Sequence, residues 1–499
     1  MSNNTKTIAK NASALMLSQL ITWAMAFVLM IFLPRYLGAV GVGKFQLATS
    51  LWAIVGIVVS FGIDTYMTKE IARVPEKLNQ LFSAAVVLQI ALFILGTGGM
   101  ALYVQVAGYP EDTILIIAII GIATLLGQLS IASRAALSAL ERMEFVSLAD
   151  VIGKGIATLL SIIFLLLGYD IVTIALISVL GNVANLVVQL VSLHRVQPLH
   201  FHRVDFSLAL DVLKSGFPFL ILSGFLVFYA QVDIIIISLL VNEEALGWYG
   251  VADRFFTTFL FIPTVFVAAV FPALSRMHKD DSEKATRVSR LGFDLLLLTA
   301  VPLGFGLIAI SDPLIALIFG PGFAESSPIL KVFGVVLILT YQNILIGSFL
   351  ITSDRQRPWS KIIIIATIIS IPLDLVLVPW CQTVFNNGAI GGAIAFVITE
   401  AFMLIGGIRL LPPGTLDRTN VSFAARTLLA GGIMFASVWG LRDLFLLIPI
   451  VVGAAIYLAC IILLRLVSPE TQQIMKYVSQ GVLDKLRAKQ VQPASNTFE

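Results

Sequence analysis

The sequence predicts an all-α polytopic membrane protein of about fourteen spanning helices, and three observations carry that prediction. Apolar residues make up 58% of the 499 and charged residues only 12%, too few charges to cover a soluble fold of this length. Mean hydropathy is +0.98, with apolar runs following one another almost without pause. Third, a hydrocarbon core of ~30 Å takes roughly 20 apolar residues per helix, and the chain divides into segments of that length. Six lie near 11–34, 45–66, 80–106, 113–139, 146–167 and 171–193. Eight follow near 216–240, 247–273, 288–310, 328–351, 362–381, 388–409, 424–441 and 444–465. The first is too long for the apolar stretch of a cleaved signal peptide, and its small residues Ala24 and Ala26 fall mid-run.

Basic residues in the connections set the orientation. With the N-terminus inside, only Arg35, Lys44, Lys331 and Arg442 face outward, and Lys154 and Arg254 fall within spans. The other 26 of the 32 Lys and Arg residues lie on the inner side. That asymmetry predicts that both termini are cytoplasmic. Past the last span, Ile474, Val478, Val482 and Leu486 recur every four residues, the pattern of a helix lying in the inner interface over 470–487. The final dozen residues read as disordered.

Composition also excludes whole classes of function. A net charge of +3 gives no support to nucleic-acid binding. Cys381 and Cys460 are far apart in sequence and imply neither a disulfide framework nor a metal site. His194, His200 and His202 share one connection but lack a fourth ligand, so a solvated linker is the better reading than zinc. No Gly-x-x-x-x-Gly-Lys-Ser/Thr loop is present, so the chain carries no ATPase of its own.

Sliding the chain by 204 residues superposes Lys10 on Lys214, Gly43 on Gly247, Phe45 on Tyr249 and Ala48 on Ala252. Glu141-Arg142 and Asp354-Arg355 also occupy matching places after the fourth and tenth spans. The repeat predicts two six-helix lobes around a central cavity, related by an axis along the membrane normal. The expected division is an N-terminal lobe over 1–200, a cytoplasmic linker over 201–215 and a C-terminal lobe over 216–410. Two extra helices over 411–467 and an interfacial helix and tail over 468–499 complete the chain.

Ionisable groups inside a bilayer are costly and so are candidates for function. Asp64, Lys44 and Arg35 lie at helix ends, where they either snorkel to the interface or face the cavity. Asp150 and Lys154, four apart on one helix, are expected to pair. Asn182, Asn185 and Gln189 form a polar stripe that reads as helix–helix glue. Asp233, Asp253, Arg254 and Asp374 lie deep in the second lobe. Counting ~1.5 Å per residue from the inner ends puts Asp233 and Asp374 at similar depth in the outer half, where two carboxylates could hold a cation or share a proton. Arg254 stays positive at any physiological pH; it either faces an anion or forms a structural ion pair with one of the aspartates.

The eighth segment carries the run Tyr249-Gly250-Val251-Ala252-Asp253-Arg254-Phe255, then Pro263, then Phe271-Pro272-Ala273-Leu274-Ser275-Arg276. It resembles the corresponding helix of lipid-linked oligosaccharide flippases in the multidrug/oligosaccharidyl-lipid/polysaccharide exporter superfamily. The turn Ser353-Asp354-Arg355-Gln356-Arg357-Pro358 resembles theirs too. The resemblance covers almost the whole chain and includes Wzx-type O-antigen and exopolysaccharide repeat-unit flippases and lipid II flippases. In the latter a sodium site lies on the seventh, eleventh and twelfth helices; Asp233, Ser370 and Asp374 match its side chains on the first two of these. Lipid II flippases also carry several arginines on their first two helices, where this chain offers only Arg35 and Lys44.

The resemblance therefore implies a repeat-unit flippase rather than a lipid II flippase. Its substrate would be an undecaprenyl-pyrophosphate-linked oligosaccharide, for O-antigen, lipopolysaccharide or another polysaccharide. Arg254, Asp253, Lys44 and Arg35 would line the cavity. Asp233, Asp374 and Ser370 would serve coupling to sodium or protons, with no other cofactor. Partners would be membrane lipids and polymerases or glycosyltransferases of the same pathway. A cation-coupled multidrug exporter of the same superfamily is the first rival, although twelve helices are usual there. A membrane-embedded polymerase or ligase is the second; the longest expected outer loop, about 311–327, offers no catalytic arginine or histidine.

Overall fold

The computed structural model describes residues 3–280, 282–412 and 414–466, which form fifteen α-helices and no strand. The first, α1 (Asn3–Ser60), is interrupted at Gly38, with φ 68° and ψ 178°. That conformation suits glycine because a Cβ would clash with the backbone, and Pro34 just before it has no N–H to continue the ladder. The break divides α1 into the first two expected spans. Phe61 and Gly62, both at positive φ, end the second arm, and α2 (Ile63–Arg73) continues as a short amphipathic helix.

Four spans follow: α3 (Leu78–Ala107), α4 (Glu111–Ala139), α5 (Met143–Leu166) and α6 (Ile171–Val196). Next come α7 (Phe206–Leu240), α8 (Glu243–Phe259) and α9 (Phe261–Asp280). The expected eighth span is thus two helices, α8 and the start of α9, and Pro263 is the physical cause. It cannot donate to the carbonyl of Phe259, which instead accepts a 2.7 Å hydrogen bond from Tyr341 Oη. The remaining spans are α10 (Ser282–Phe319), α11 (Ser326–Thr352), α12 (Gln356–Phe385), α13 (Ala389–Leu410), α14 (Arg418–Gly440) and α15 (Leu447–Leu463). Twelve stretches are long and apolar enough to cross a membrane, the first of them containing the Gly38 break, and α15 is a shorter apolar helix. Counting the two arms of α1 separately gives the fourteen spans.

The long outer loop expected over 311–327 is mostly helix. Helix α10 runs on to Phe319, and only a short turn at Pro321–Phe323 separates it from α11. The interfacial helix expected at 470–487 and the tail after it lie outside the described residues.

Helices α1 to α6 pack chiefly among themselves, as do α7 to α13, while α14 and α15 rest on α10. The two groups meet along α1, α7 and α8. There the glycines matched by the sequence repeat touch reciprocally. A Cβ on Gly43 would lie 1.8 Å from the Glu243 carbonyl oxygen, and one on Gly247 would lie 1.9 Å from that of Ala39. Residues 39 and 43 correspond to 243 and 247 under the same shift, so the contact has the reciprocity of a two-fold axis. The ends of α4 and α11 also close alike. Glu141 (φ 57°) and Asp354 (φ 58°) are left-handed, and Arg142 and Arg355 donate their N–H groups back to Leu137 and Leu350. Both are the capping pattern that satisfies the last carbonyls of a helix.

Candidate functional site

The first cluster lies where α7, α8, α12 and α13 converge. Asp233 of α7 and Asp374 of α12 are buried, and their carboxyl groups lie within hydrogen-bonding reach of each other. Asp233 Oδ2 accepts a 2.9 Å hydrogen bond from Tyr249 Oη on α8. Both oxygens of Asp374 are buried without a donor. Ser370, one turn before Asp374, donates to the Thr367 carbonyl at 2.9 Å and keeps its own lone pairs free. On α13, Gly392 lies against this pair, where a Cβ would be 3.6 Å from that of Asp233. Two adjacent carboxylates away from water repel each other strongly. Such a site is chemically complete only with a proton or a cation between them, and its all-oxygen donor set suits a hard cation.

A second buried carboxylate was missed from the sequence. Glu400 on α13 is 2% exposed and accepts hydrogen bonds from Tyr229 of α7 at 3.1 Å, and from Thr340 and Asn343 of α11 at 2.9 and 2.8 Å. Three donors from two other helices satisfy it. The signal was present: a single glutamate inside the apolar run from Ala393 to Ile405 meets the same rule that singled out the aspartates.

The third cluster is cationic. Arg254 lies on α8 before the break, lining a cavity of about 590 Å³ with Trp23, Phe27, Met30, Thr257 and Phe261. Lys154 of α5 lines a second cavity of about 510 Å³, which shares Trp23 and Ala26 with the first. The two cations lie within electrostatic reach of each other across the junction of the halves. Among the described residues, no carboxylate comes within ion-pair distance of either. The expected pairing of Lys154 with Asp150 is thus corrected. Asp150 accepts two hydrogen bonds from Arg134, at 2.5 and 2.7 Å, and one from Asn185 at 3.1 Å. Arg134 reaches both oxygens of Asp150 through one nitrogen, Nη2, while Lys154, one turn on from Asp150, lines the cavity. The expected alternative of an ion pair between Arg254 and Asp233 or Asp374 is likewise not formed. Asp253, next to Arg254, is half-buried and interacts with it electrostatically.

Lys44 is placed elsewhere. It is buried at the contact of the halves, bonded to Asp112 at the start of α4 and 3.4 Å from Glu243 at the start of α8. Thr113 donates to the same Glu243. Arg35 is exposed beside the Gly38 break. Neither residue lines the cavities that hold Lys154 and Arg254.

Solved structures share this architecture. The inward closed conformation of the lipid II flippase MurJ superposes with a TM-score of 0.70 at 16% identity, covering 92% of this chain and 99% of that one. An inward-facing multidrug resistance transporter of the MATE family matches at 0.59 and 16%, over 83% and 94%. At 16% identity these likenesses show the fold, that of a multi-pass membrane protein. Residues 8–278 match the polysaccharide biosynthesis protein family, and the chain belongs to it. Among named relatives, a probable low-salt glycan biosynthesis flippase of Haloferax volcanii is 23% identical over 410 residues, 79% of this chain and 81% of the relative. A succinoglycan biosynthesis transport protein of Rhizobium meliloti is 24% identical over 66% of this chain and 65% of its own.

Proposed function

We propose that this protein is a flippase that carries an undecaprenyl-pyrophosphate-linked oligosaccharide from the inner to the outer leaflet of the bacterial plasma membrane. The observation that carries this reading is that Lys154 and Arg254 lie within electrostatic reach of each other between the two halves, neither bonded to a carboxylate in an ion pair. An unpaired charge is expensive at this depth, and a diphosphate entering from the membrane would neutralise both. The polar interior replaces water for the head group while the lipid tail stays in the bilayer. With Lys44 bonded to α4 and α8 at one end, the halves are closed there, and rocking about that contact would expose the cavity alternately. An inside-negative potential favours outward movement of an anion by about 2.3 kcal/mol per charge per 100 mV. Asp233, Asp374 and Ser370 would hold a sodium ion or a proton, linking the gradient of that cation to the rocking.

The lipid II reading is weaker because its cations would come from the first two helices, where Arg35 is exposed and Lys44 is already paired. The decisive experiment uses proteoliposomes loaded with an undecaprenyl-diphosphate-linked oligosaccharide, with translocation read by its accessibility to an external lectin. Arg254→Ala and Lys154→Ala should each slow translocation by about 100-fold, the scale of losing one charged partner in a desolvated site. Arg254→Lys should keep part of the rate. Normal translocation by either alanine variant would overturn the assignment. The orientation is tested separately, by a cysteine at His200 that an impermeant thiol reagent should fail to label in intact cells.

A further inference from the structure

Among the amide-bearing residues of α6, Asn185 joins two helices as the sequence suggests, through its bond to Asp150 of α5, but the close approach of those helices is made elsewhere. Helices α5 and α6 touch through glycines: a Cβ on Gly153 would lie 2.8 Å from the Gly181 carbonyl oxygen, and one on Gly181 would lie 2.9 Å from that of Gly153. Asn182, Asn185 and Gln189 instead line the cavity that holds Lys154. Gln189 donates to Asn185 at 2.9 Å and Asn185 donates to Asp150. The other end of this chain, Gln189 Oε1, is buried with no donor on a residue that is itself 0% exposed.

The cavity does not end there. It shares Gly127, Ile131, Ser178 and Asn182 with a further hollow of about 490 Å³, lined also by Thr124 and Gln128, whose Oε1 is a second buried acceptor without a donor. Gly127 leaves the junction open, since a Cβ there would lie 3.4 Å from Asn182 Oδ1. Each hollow is within the ~300–1,000 Å³ of small-molecule sites. One cleft therefore runs from Arg254, past Trp23 and Lys154, along the amides of α6 to Gln128.

We propose that this cleft between α1, α4, α5 and α6 is a saccharide subsite that takes the pyranose rings of the head group while the diphosphate stays at Lys154 and Arg254. The proposal rests on the flippase reading and deepens it. Its chemistry selects the ligand. Buried acceptors without donors call for a ligand that donates. The ionised diphosphate of the head group offers no donor, so it would leave Gln189 Oε1 and Gln128 Oε1 unsatisfied. A cationic drug would donate but would meet Lys154. Neutral hydroxyls donate and accept without either conflict, and Trp23 offers an aromatic face to the C–H side of a ring at the point where sugar and diphosphate join.

The test compares binding of farnesyl diphosphate with that of farnesyl-diphosphate-linked glucose, galactose and N-acetylglucosamine, titrated into the full-length protein in nanodiscs. At least one sugar-bearing probe should bind the parent protein about tenfold more tightly than farnesyl diphosphate, the scale of one or two hydrogen bonds. Asn182→Leu should remove that advantage, leaving farnesyl diphosphate binding and the unfolding temperature as they were, and Gln189→Leu should act in the same direction. The subsite is overturned if no sugar improves binding, or if Asn182→Leu weakens the sugar-free and sugar-bearing probes alike. Failure of the flippase reading looks different: farnesyl diphosphate itself would not bind, and Lys154→Ala would change nothing.

Discussion

The two halves of the molecule put polar residues to opposite uses. In α4, α5 and α6 the polar side chains line open cavities, and Lys154 is exposed within one of them. In α7, α11, α12 and α13 the carboxyls are packed away: Asp374 is 0% exposed and Glu400 2%. Helix α11, which supplies two of the Glu400 donors, buries most of its length, whereas α6 buries little. A polar wall that borders a cavity can exchange partners and suits a head group that must enter and leave. A carboxyl packed away from water takes its neighbours from the packing, so its protonation or ion occupancy is tied to how the helices pack. On the proposed reading, the first half, with Arg254 of the second, would carry recognition, and the buried carboxyls of the second half would carry coupling.

The comparison breaks most completely if the halves cannot meet. Gly247→Val places a side chain where even a Cβ would lie 1.9 Å from the Ala39 carbonyl oxygen, so the closed contact of α1 with α8 cannot form. Translocation should be lost, and a cysteine at Thr49, which lines the far hollow, should become reactive to an impermeant thiol reagent from the outer side. A protected Thr49 cysteine in that variant would show that the glycine contact does not control access.

A sharper test of the dry half is Glu400→Ala. It removes the carboxylate that accepts from Tyr229, Thr340 and Asn343, leaving Asn343 the Glu400 carbonyl and Tyr229 the Thr399 hydroxyl. It should cost about 3 kcal/mol of stability, as for other buried polar networks that lose one member, seen as a lower unfolding temperature in detergent. Glu400→Gln keeps the volume and one acceptor oxygen and should cost less. Equal unfolding temperatures for all three proteins would remove the structural role given to Glu400. A smaller effect is expected from Asp374→Asn, which leaves Asp233 without a carboxylate neighbour. Head-group binding should persist while the dependence of transport on sodium or pH flattens. An unchanged dependence would place coupling outside this pair.

Much of this was legible in the sequence because it depends on neighbours along the chain. Hydropathy alone set the number of spans, since each must cross the same hydrocarbon thickness whatever it packs against. The shift of 204 residues marked Gly43 and Gly247, and Arg254 was identified by standing inside an apolar run. What the tertiary structure decided was partnership. Asp150 prefers Arg134 of α4 to Lys154 of its own helix, and that choice frees Lys154 to face Arg254. Asp233 meets Asp374 across 141 residues of chain, and Glu400 finds donors on two other helices. The Pro263 break is local, yet the group that satisfies the carbonyl it orphans, Tyr341, lies 82 residues beyond Phe259. The reason is physical: the bilayer acts on each segment separately and is read in order, whereas buried polar groups are stabilised only by the donors and charges that packing brings to them.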